Sequence, residues 1–198
     1  MIIHSEKGAL VAAREGKAVS KASRDGFVRI RRFTTEDASS LFEAVHESVK
    51  QLCRWMVWCN PEYSLEESKS FVWNSERDWD RGERYSFVIE DSRDGSLVGS
   101  VGLSSIVLPH RFANLGYWVR TSRTGEGFAR AGVLLAARFA FEKLGLERLE
   151  LIVPVSNEAS RRVAERAGAH CEGLLRKRLV LRGKLHDAAL YSLLPEDL

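Results

Sequence analysis

The sequence of 198 residues is poor in the features that mark membrane, secreted and metal-binding proteins. It contains no run of about 18 apolar residues, which a membrane-spanning helix needs. Its three cysteines form neither a CxxC pair nor a cluster with histidine, so neither a disulfide framework nor a structural metal is expected. The apolar run Ala9–Ala13 is too short and too closely followed by charge for a signal peptide. We therefore expect reduced thiols, no bound metal, no membrane segment and a cytoplasmic protein.

An excess of one charge is also lacking. The 30 Lys and Arg residues are nearly balanced by 27 Asp and Glu, and the net charge is only +3. This bias is too weak to indicate nucleic-acid binding, and it suits a small anionic ligand equally well. A nucleic-acid face would have to use basic residues that lack an aromatic stacking platform and are more simply a solvated surface: Arg161, Arg162, Arg166, Arg176, Lys177 and Arg178.

What the chain does have is a composition of 44% hydrophobic and 29% charged residues, typical of one globular domain with a good core. We expect residues 1–25 to form an N-terminal arm and residues 26–198 to form the domain. An aromatic segment at 55–63 is open to two interpretations, core packing or a wall of a substrate pocket.

Hydrophobic periodicity predicts an alternation of strands and helices through the domain. The predicted order is a strand at 27–33, helices at about 36–54 and 64–81, strands at 85–90 and 97–103 around the hairpin signal Asp94-Gly95, a strand at 112–119, a helix ending at 144, a strand at 147–153, a helix from 157 to 167, and a closing hairpin of 169–181 and 184–194. Because a helix separates the 112–119 strand from the 147–153 strand, these two should be parallel.

Between the 112–119 strand and the helix that follows lies a polar turn with two glycines, Gly125 and Gly127. Such a loop presents unpaired backbone N–H groups at the positive end of the helix dipole, where an anion, most often phosphate, binds. A dinucleotide fingerprint would need a third glycine at Arg130, and a nucleotide-triphosphate loop would need Gly-Lys-Ser/Thr, so neither applies. A plain tight turn is the alternative interpretation of the two glycines alone.

Five motifs occur in a fixed order along the chain. They are Asn-Leu-Gly-Tyr-Trp-Val from 114, Thr-Gly-Glu-Gly-Phe-Ala from 124, Asn-Glu-Ala-Ser from 157, Arg-Ala-Gly-Ala-His from 166 and Glu-Gly-Leu-Leu-Arg from 172. Together they resemble the GNAT acetyltransferases, and more narrowly the RimJ/RimL branch, which acetylates N-termini of ribosomal proteins. The resemblance implies an α+β fold (an α/β/α sandwich) with a mixed, mostly antiparallel seven-stranded sheet, a central parallel strand pair and about four helices.

The resemblance also implies acetyl-CoA as the acetyl donor. Its pyrophosphate would be held by backbone N–H groups of the glycine loop, at Gly125, Glu126, Gly127, Phe128 and Ala129. The two parallel strands would splay apart and leave backbone groups of Tyr117, Trp118 and Val119 free to pair with pantetheine and to meet the thioester oxygen. Thr124 departs from the Gln or Arg usual at the start of the loop, with Arg123 one place earlier, and Glu126 brings a carboxylate beside the pyrophosphate.

By the same resemblance, three polar residues take part in the reaction. Asn157 contacts the coenzyme arm, Ser160 protonates the leaving thiolate and Glu172 deprotonates the amine. Each has a plainer alternative, which is a helix N-cap for Asn157, a buried helix serine for Ser160 and a solvated charge for Glu172.

The acceptor is not readable from the residues. The leading hypothesis is an N-acetyltransferase that acts by direct attack of a primary amine, in particular a protein N-terminal α-amine. The alternatives are a small amine such as an aminoglycoside, polyamine or amino acid, and a degenerate module that binds coenzyme A without turnover. The closing hairpin and the aromatic segment at 55–58 are a candidate surface for a homodimer.

Overall fold

The computed structural model describes residues 21–22 and 26–198. Most of the predicted N-terminal arm therefore lies outside the described residues. One short strand, β1 (Lys21–Ala22), falls within that arm and pairs antiparallel with the first strand of the domain. In the part of the chain that the structure describes, the sheet thus contains eight strands, the seven that the sequence predicts and this two-residue addition.

The elements follow the predicted order closely. After β1 come β2 (Val28–Arg32), α1 (Ala38–Trp55), α2 (Leu65–Arg81), β3 (Tyr85–Asp91), β4 (Leu97–Val107), β5 (Phe112–Val119), α3 (Phe128–Leu144), β6 (Arg148–Pro154), α4 (Glu158–Arg166), β7 (His170–Leu181) and β8 (Lys184–Leu193). The spatial order in the sheet is β1-β2-β3-β4-β5-β6-β8-β7. Among the strand pairs of the described residues, only the central pair, β5 and β6, is parallel, so the predicted mixed sheet is confirmed.

Helices cover both faces of the sheet. Because side chains alternate along a strand, Phe87 and Ile89 of β3 pack beneath α3, while Val88 between them faces α1 and α2. Helix α3 runs across β2 to β5, and α4 packs on β6 and β7. None of the described helices is long and apolar enough to cross a membrane.

The parallel pair is short. Strands β5 and β6 are paired only at Phe112–Arg148, Ala113–Leu149 and Asn114–Glu150, whereas β5 stays paired with β4 as far as Val119. From 115 to 119 the edge of β5 that faces β6 therefore has no strand partner among the described residues. The predicted splaying of these two strands is present in the fold, and it opens a notch in the middle of the sheet.

The closing hairpin reaches across to the end of α1. At its tip, Arg182 donates hydrogen bonds from Nε to the carbonyl oxygen of Cys53 (2.7 Å) and from Nη2 to that of Cys59 (3.1 Å). The hairpin and the aromatic segment, both named above as a candidate homodimer surface, thus touch each other within one chain. The two cysteines, which are six residues apart and free, lie with their Sγ atoms 3.0 Å apart. No pattern in the sequence indicates that proximity.

Candidate active site

The glycine loop enters α3 with its backbone donors unused. Within the described residues, no backbone N–H group from Gly125 to Arg130 has a hydrogen-bond acceptor. The first N–H group of this region that donates a hydrogen bond is that of Ala131, to the carbonyl oxygen of Gly127 (3.0 Å). Gly125 (φ +87°) and Gly127 (φ +89°) are both left-handed, and a Cβ on either would meet nothing within 4 Å. Six successive donors are thus without an acceptor among the described residues, at the positive end of a 17-residue helix.

The residues just before the loop are fixed to α1. Glu47 accepts hydrogen bonds from Arg120 Nε (2.8 Å) and from the backbone N–H of Ser122 (2.9 Å), and Ser48 Oγ accepts the N–H of Thr121 (2.9 Å). Burial opposes ionisation of Glu47, but the hydrogen bonds from Arg120 and Ser122 outweigh it and lower the pKa of Glu47 to about 2. This charged anchor leaves the loop itself free for a ligand.

Arg123, the residue before Thr124 at the start of the loop, is held by two carboxylates. Its Nη2 lies 2.5 Å from Oδ2 of the buried Asp91, and its Nε lies 3.1 Å from Oε1 of Glu126. Its guanidinium also stacks over Phe128, 4.7 Å from the ring centroid. Glu126 therefore turns towards Arg123, which neutralises much of the negative charge that the sequence placed beside the pyrophosphate. Hydrogen bonds from Arg93 and Arg123 hold the pKa of Asp91 well below its usual value, against the effect of burial.

Ser160 meets Tyr117 across the notch between β5 and β6. The Oγ of Ser160 and the Oη of Tyr117 are 2.8 Å apart, and the Tyr117 hydroxyl also lies 2.9 Å from the backbone carbonyl of Ser160. Burial raises the pKa of Tyr117 to about 12, although its hydrogen bond with Ser160 acts the other way. The carboxamide oxygen of Asn157 accepts the N–H of Ser160 (3.2 Å), so Asn157 is the N-cap of α4, as one interpretation of the sequence has it. Two predicted site residues, from β5 and α4, are thus brought together.

Glu172 lies apart from this pair. Its carboxylate forms a two-point ion pair with Arg148, the first residue of β6, with distances of 2.7 Å from Nη1 to Oε1 and 2.5 Å from Nη2 to Oε2. Hydrogen bonds from Arg148 and then Ser192 lower the pKa of Glu172 to about 2. No hydrogen bond in the described part of the chain joins Glu172 to Ser160 or Tyr117. A carboxylate held in this way has to part from Arg148 before it can accept a proton from an amine.

A cavity of about 190 Å³ opens on the other face of β5, between the sheet and helices α1 and α2. Part of its wall is aromatic, because the ring of Trp58 lies 5.9 Å from that of Tyr63 and 6.3 Å from that of Trp118. The floor consists of small residues, to which the sequence analysis assigned no role: Ser86, Ser100, Gly102, Ser104 and Gly116. A Cβ on Gly116 would meet nothing within 4 Å, so its place is part of the open space.

The geometry agrees with what comparison with known proteins shows. The family model described as "Acetyltransferase (GNAT) domain" matches residues 28–170, well over half of the chain. The chain belongs to the GNAT acetyltransferase family. This membership confirms the family named from the sequence motifs, and with it the fold class.

Two of the proteins that this GNAT acetyltransferase resembles carry names of the RimJ/RimL type. YdaF of Bacillus subtilis, provisionally named a ribosomal N-acetyltransferase, is 31% identical over 172 residues, which is 86% of this chain and 92% of YdaF. The structure of Mycobacterium smegmatis RimJ in complex with CoA-disulfide superimposes with a TM-score of 0.82 and 27% identity, covering 91% of this chain and 88% of that one. A shorter match, 32% over 108 residues, is to the spermidine N(1)-acetyltransferase of Vibrio cholerae and covers 54% of this chain and 61% of that enzyme.

As a GNAT acetyltransferase, the chain is an acetyl-CoA-dependent N-acetyltransferase. Its own residues fit that donor. Six unpaired N–H groups at a helix N-terminus suit a pyrophosphate, and the unpaired edge of β5 offers backbone groups to an amide-bearing arm such as pantetheine. Acetyl-CoA supplies an acetyl group activated as a thioester.

Proposed function

We propose that this enzyme acetylates the α-amine of a protein N-terminus, as in the ribosomal-protein type, by direct attack of the amine on the thioester. The observation that carries the acceptor class is the lining of the cavity beside β5. Among the described residues, that lining includes no carboxylate and only one charged side chain, the cation Arg84. The provisional ribosomal name of YdaF supports the same acceptor class.

A polycationic acceptor fits this cavity poorly. Polyamines and aminoglycosides carry several positive charges, and a cation that leaves water needs a carboxylate or comparable partner to offset its lost hydration. An α-amine has a reference pKa of about 7.7–8.0, against about 10.4 for a lysine-type amine. Near pH 7.5 about a third of N-terminal amines are therefore uncharged, whereas a lysine-type amine is almost wholly protonated. The uncharged form can enter an aromatic cavity without a counter-charge.

The proposed roles of the site residues follow from their positions. The N–H groups from Gly125 to Ala129 hold the pyrophosphate, and free backbone groups between Tyr117 and Val119 bind the pantetheine arm and the thioester oxygen. Ser160 is the acid for the leaving thiolate, with the neutral Tyr117 hydroxyl beside it as a proton source. Glu172 is the carboxylate proposed to take the proton of the amine, with its basicity limited by Arg148.

Thiol release from acetyl-CoA with a panel of acceptors tests the proposal. The panel contains short peptides with free N-termini, the same peptides with blocked N-termini, lysine-rich peptides with blocked N-termini, spermidine and an aminoglycoside. We expect steady release only with free N-termini. Preferential turnover of spermidine or the aminoglycoside would overturn the acceptor class and would favour the function of the shorter Vibrio cholerae relative.

A single substitution links that activity to the cavity. Gly116→Val adds a side chain where the floor is open, in a strand whose backbone accepts any residue. We expect the KM for the peptide to rise at least about tenfold while acetyl-CoA affinity and melting temperature stay unchanged, because the cavity is filled without disturbing packed neighbours. An unchanged peptide KM in the variant would mean that the acceptor binds elsewhere.

The cytoplasmic location and the homodimer stay predictions of the sequence.

A further inference from the structure

Among the described residues, the lining of the cavity beside β5 contains one charged side chain, that of Arg84. Arg84 precedes β3 and lies at the solvent-exposed side of the cavity. Its guanidinium makes no ion pair or hydrogen bond with any described residue, whereas the arginines around the glycine loop, Arg93, Arg120 and Arg123, are each paired with a carboxylate. An exposed cation in the lining of a cavity, without a counter-ion, is available to a ligand.

The rest of the lining does not neutralise this charge. The polar groups of the floor are serine hydroxyls, and the Tyr63 hydroxyl accepts a hydrogen bond from Ser68 (3.1 Å). The aromatic rings of Trp58 and Trp118 could attract a cation by their π faces, but a cation held there would share the cavity with the charge of Arg84. The local field therefore favours a neutral amine attached to a group that carries negative charge.

We propose that Arg84 is a specificity-determining residue that selects amine acceptors bearing a carboxylate near the reacting amine. The inference rests on the proposed function, because it places the acceptor in the cavity beside β5. The amine then lies towards β5 and the thioester, the apolar part of the acceptor packs on Trp58 and Trp118, and the carboxylate meets the guanidinium at the exposed side. A side-chain carboxylate of the second or third peptide residue and the α-carboxylate of a free amino acid offer the same chemistry.

The test compares acceptors that differ only in charge. Peptides of one sequence carry Asp, Asn or Lys at the second or third position, and alanine is compared with alaninamide to examine the α-carboxylate as the source of charge. We expect kcat/KM to be about fivefold higher for Asp than for Asn, and lower again for Lys, with the difference mainly in KM and reduced at high salt. The ratio of kcat/KM for alanine over alaninamide is compared with the ratio for the Asp peptide over the Asn peptide. A larger first ratio would identify a free amino acid as the better ligand of Arg84.

Variants of Arg84 separate its charge from its bulk. Arg84→Gln should bring the Asp and Asn peptides to equal kcat/KM, and Arg84→Glu should reverse the order so that the Lys peptide becomes the best. The matched control is Arg77→Gln, which removes an exposed arginine that stacks on Trp73 of α2 away from the cavity. It should keep the preference of the wild type.

The outcomes distinguish this inference from the proposed function. Turnover of all free N-termini regardless of charge, or the same charge preference in Arg84→Gln, overturns the role of Arg84 and leaves N-terminal acetylation standing. Turnover of spermidine in place of peptides overturns both. Loss of the preference in Arg77→Gln as well would show that the selectivity comes from overall charge and not from this side chain.

Discussion

The contact between Tyr117 and Ser160 gives the sharpest chemical prediction. With its pKa raised to about 12, the Tyr117 hydroxyl keeps its proton throughout the working pH range and can resupply Ser160. We expect Ser160→Ala to lower kcat about 100-fold with no change in the shape of the pH profile, a loss typical of an acid–base partner. Tyr117→Phe should cost less, about tenfold, because the serine hydroxyl remains.

Coenzyme binding serves as the control for both variants. Isothermal titration should give acetyl-CoA affinities close to that of the wild type, because neither hydroxyl contacts the glycine loop. Full activity of Ser160→Ala would transfer the role of acid to Tyr117 or to water.

Glu172 leads to a different prediction, because its ion pair with Arg148 weakens it as a base. With a pKa of about 2, the carboxylate has little affinity for a proton at neutral pH. We expect Glu172→Gln to lower kcat/KM by no more than about tenfold, with the loss confined to pH values below the pKa of the amine, about 8. A pH profile of the acetylation rate measures this. A larger loss that persists at pH 9 would indicate that Glu172 acts by holding Arg148 in place.

Single-residue roles could be predicted only where they depend on near neighbours in the chain. The N-cap of Asn157 is local, since its partner is three residues away. The pairing of Arg123 with Asp91 joins residues 32 apart, and that of Arg148 with Glu172 joins residues 24 apart. Neither pairing has a signal in the sequence, because oppositely charged side chains meet only after the strands have taken their places.

The glycine loop offers a comparison between two equivalent glycines. Gly127 and Gly95 are both left-handed (φ +89° and +75°), and a Cβ on either meets nothing within 4 Å, but only Gly127 lies in the loop. Alanine at either position should cost about 1 kcal/mol of folding free energy from the backbone conformation. Only Gly127→Ala should also weaken acetyl-CoA binding, by at least about tenfold, because its methyl group obstructs the approach of pyrophosphate to the backbone.

Calorimetric titration and thermal melting of the two variants give this comparison directly. Equal losses of coenzyme affinity in both would indicate a general effect on the fold, and the loop assignment would then be wrong.

Most elements were predictable because their patterns are local. Alternating apolar residues marked the strands, Asp94-Gly95 marked the β3–β4 hairpin, and the Ser64–Glu67 capping box began α2 as predicted. Strand β1 was missed because two residues show no periodicity. The early end of the β5–β6 pairing was implied by the family resemblance and not by any pattern, since an unpaired strand edge has the same composition as a paired one.

Across the whole molecule, the buried carboxylate of Asp91 links stability to pH. Its pKa is lower in the folded state than in the unfolded state, so its contribution is fully present above about pH 4 and is lost as the pH falls through the folded value. We expect Asp91→Asn to lower the melting temperature at pH 7 by about 5–10 °C, since the Asp91 side chain is only 1% exposed and its loss of charge removes the carboxylate partner of Arg93 and one of the two of Arg123.

The melting difference between Asp91→Asn and the wild type should narrow as the pH is lowered from 5 to 3, because the carboxyl group of Asp91 then binds a proton in the unfolded wild type while it stays ionised in the folded protein. A difference that stays constant over this range would mean that packing at Asp91, and not its charge, stabilises the fold.

The notch between β5 and β6 divides the sheet into two leaves, β1 to β5 and β6 to β8, that share only three backbone pairs. A ligand bound in the notch would contact both leaves. Its hydrogen bonds would replace those that β5 and β6 do not make with each other beyond residue 114. Amide hydrogens lining the notch should exchange with deuterated solvent quickly in the free enzyme and slowly with coenzyme bound, whereas those between β3 and β4 should be slow in both. Acetyl-CoA would then have two roles, as the acetyl donor and as the link that holds the two parts of the sheet together.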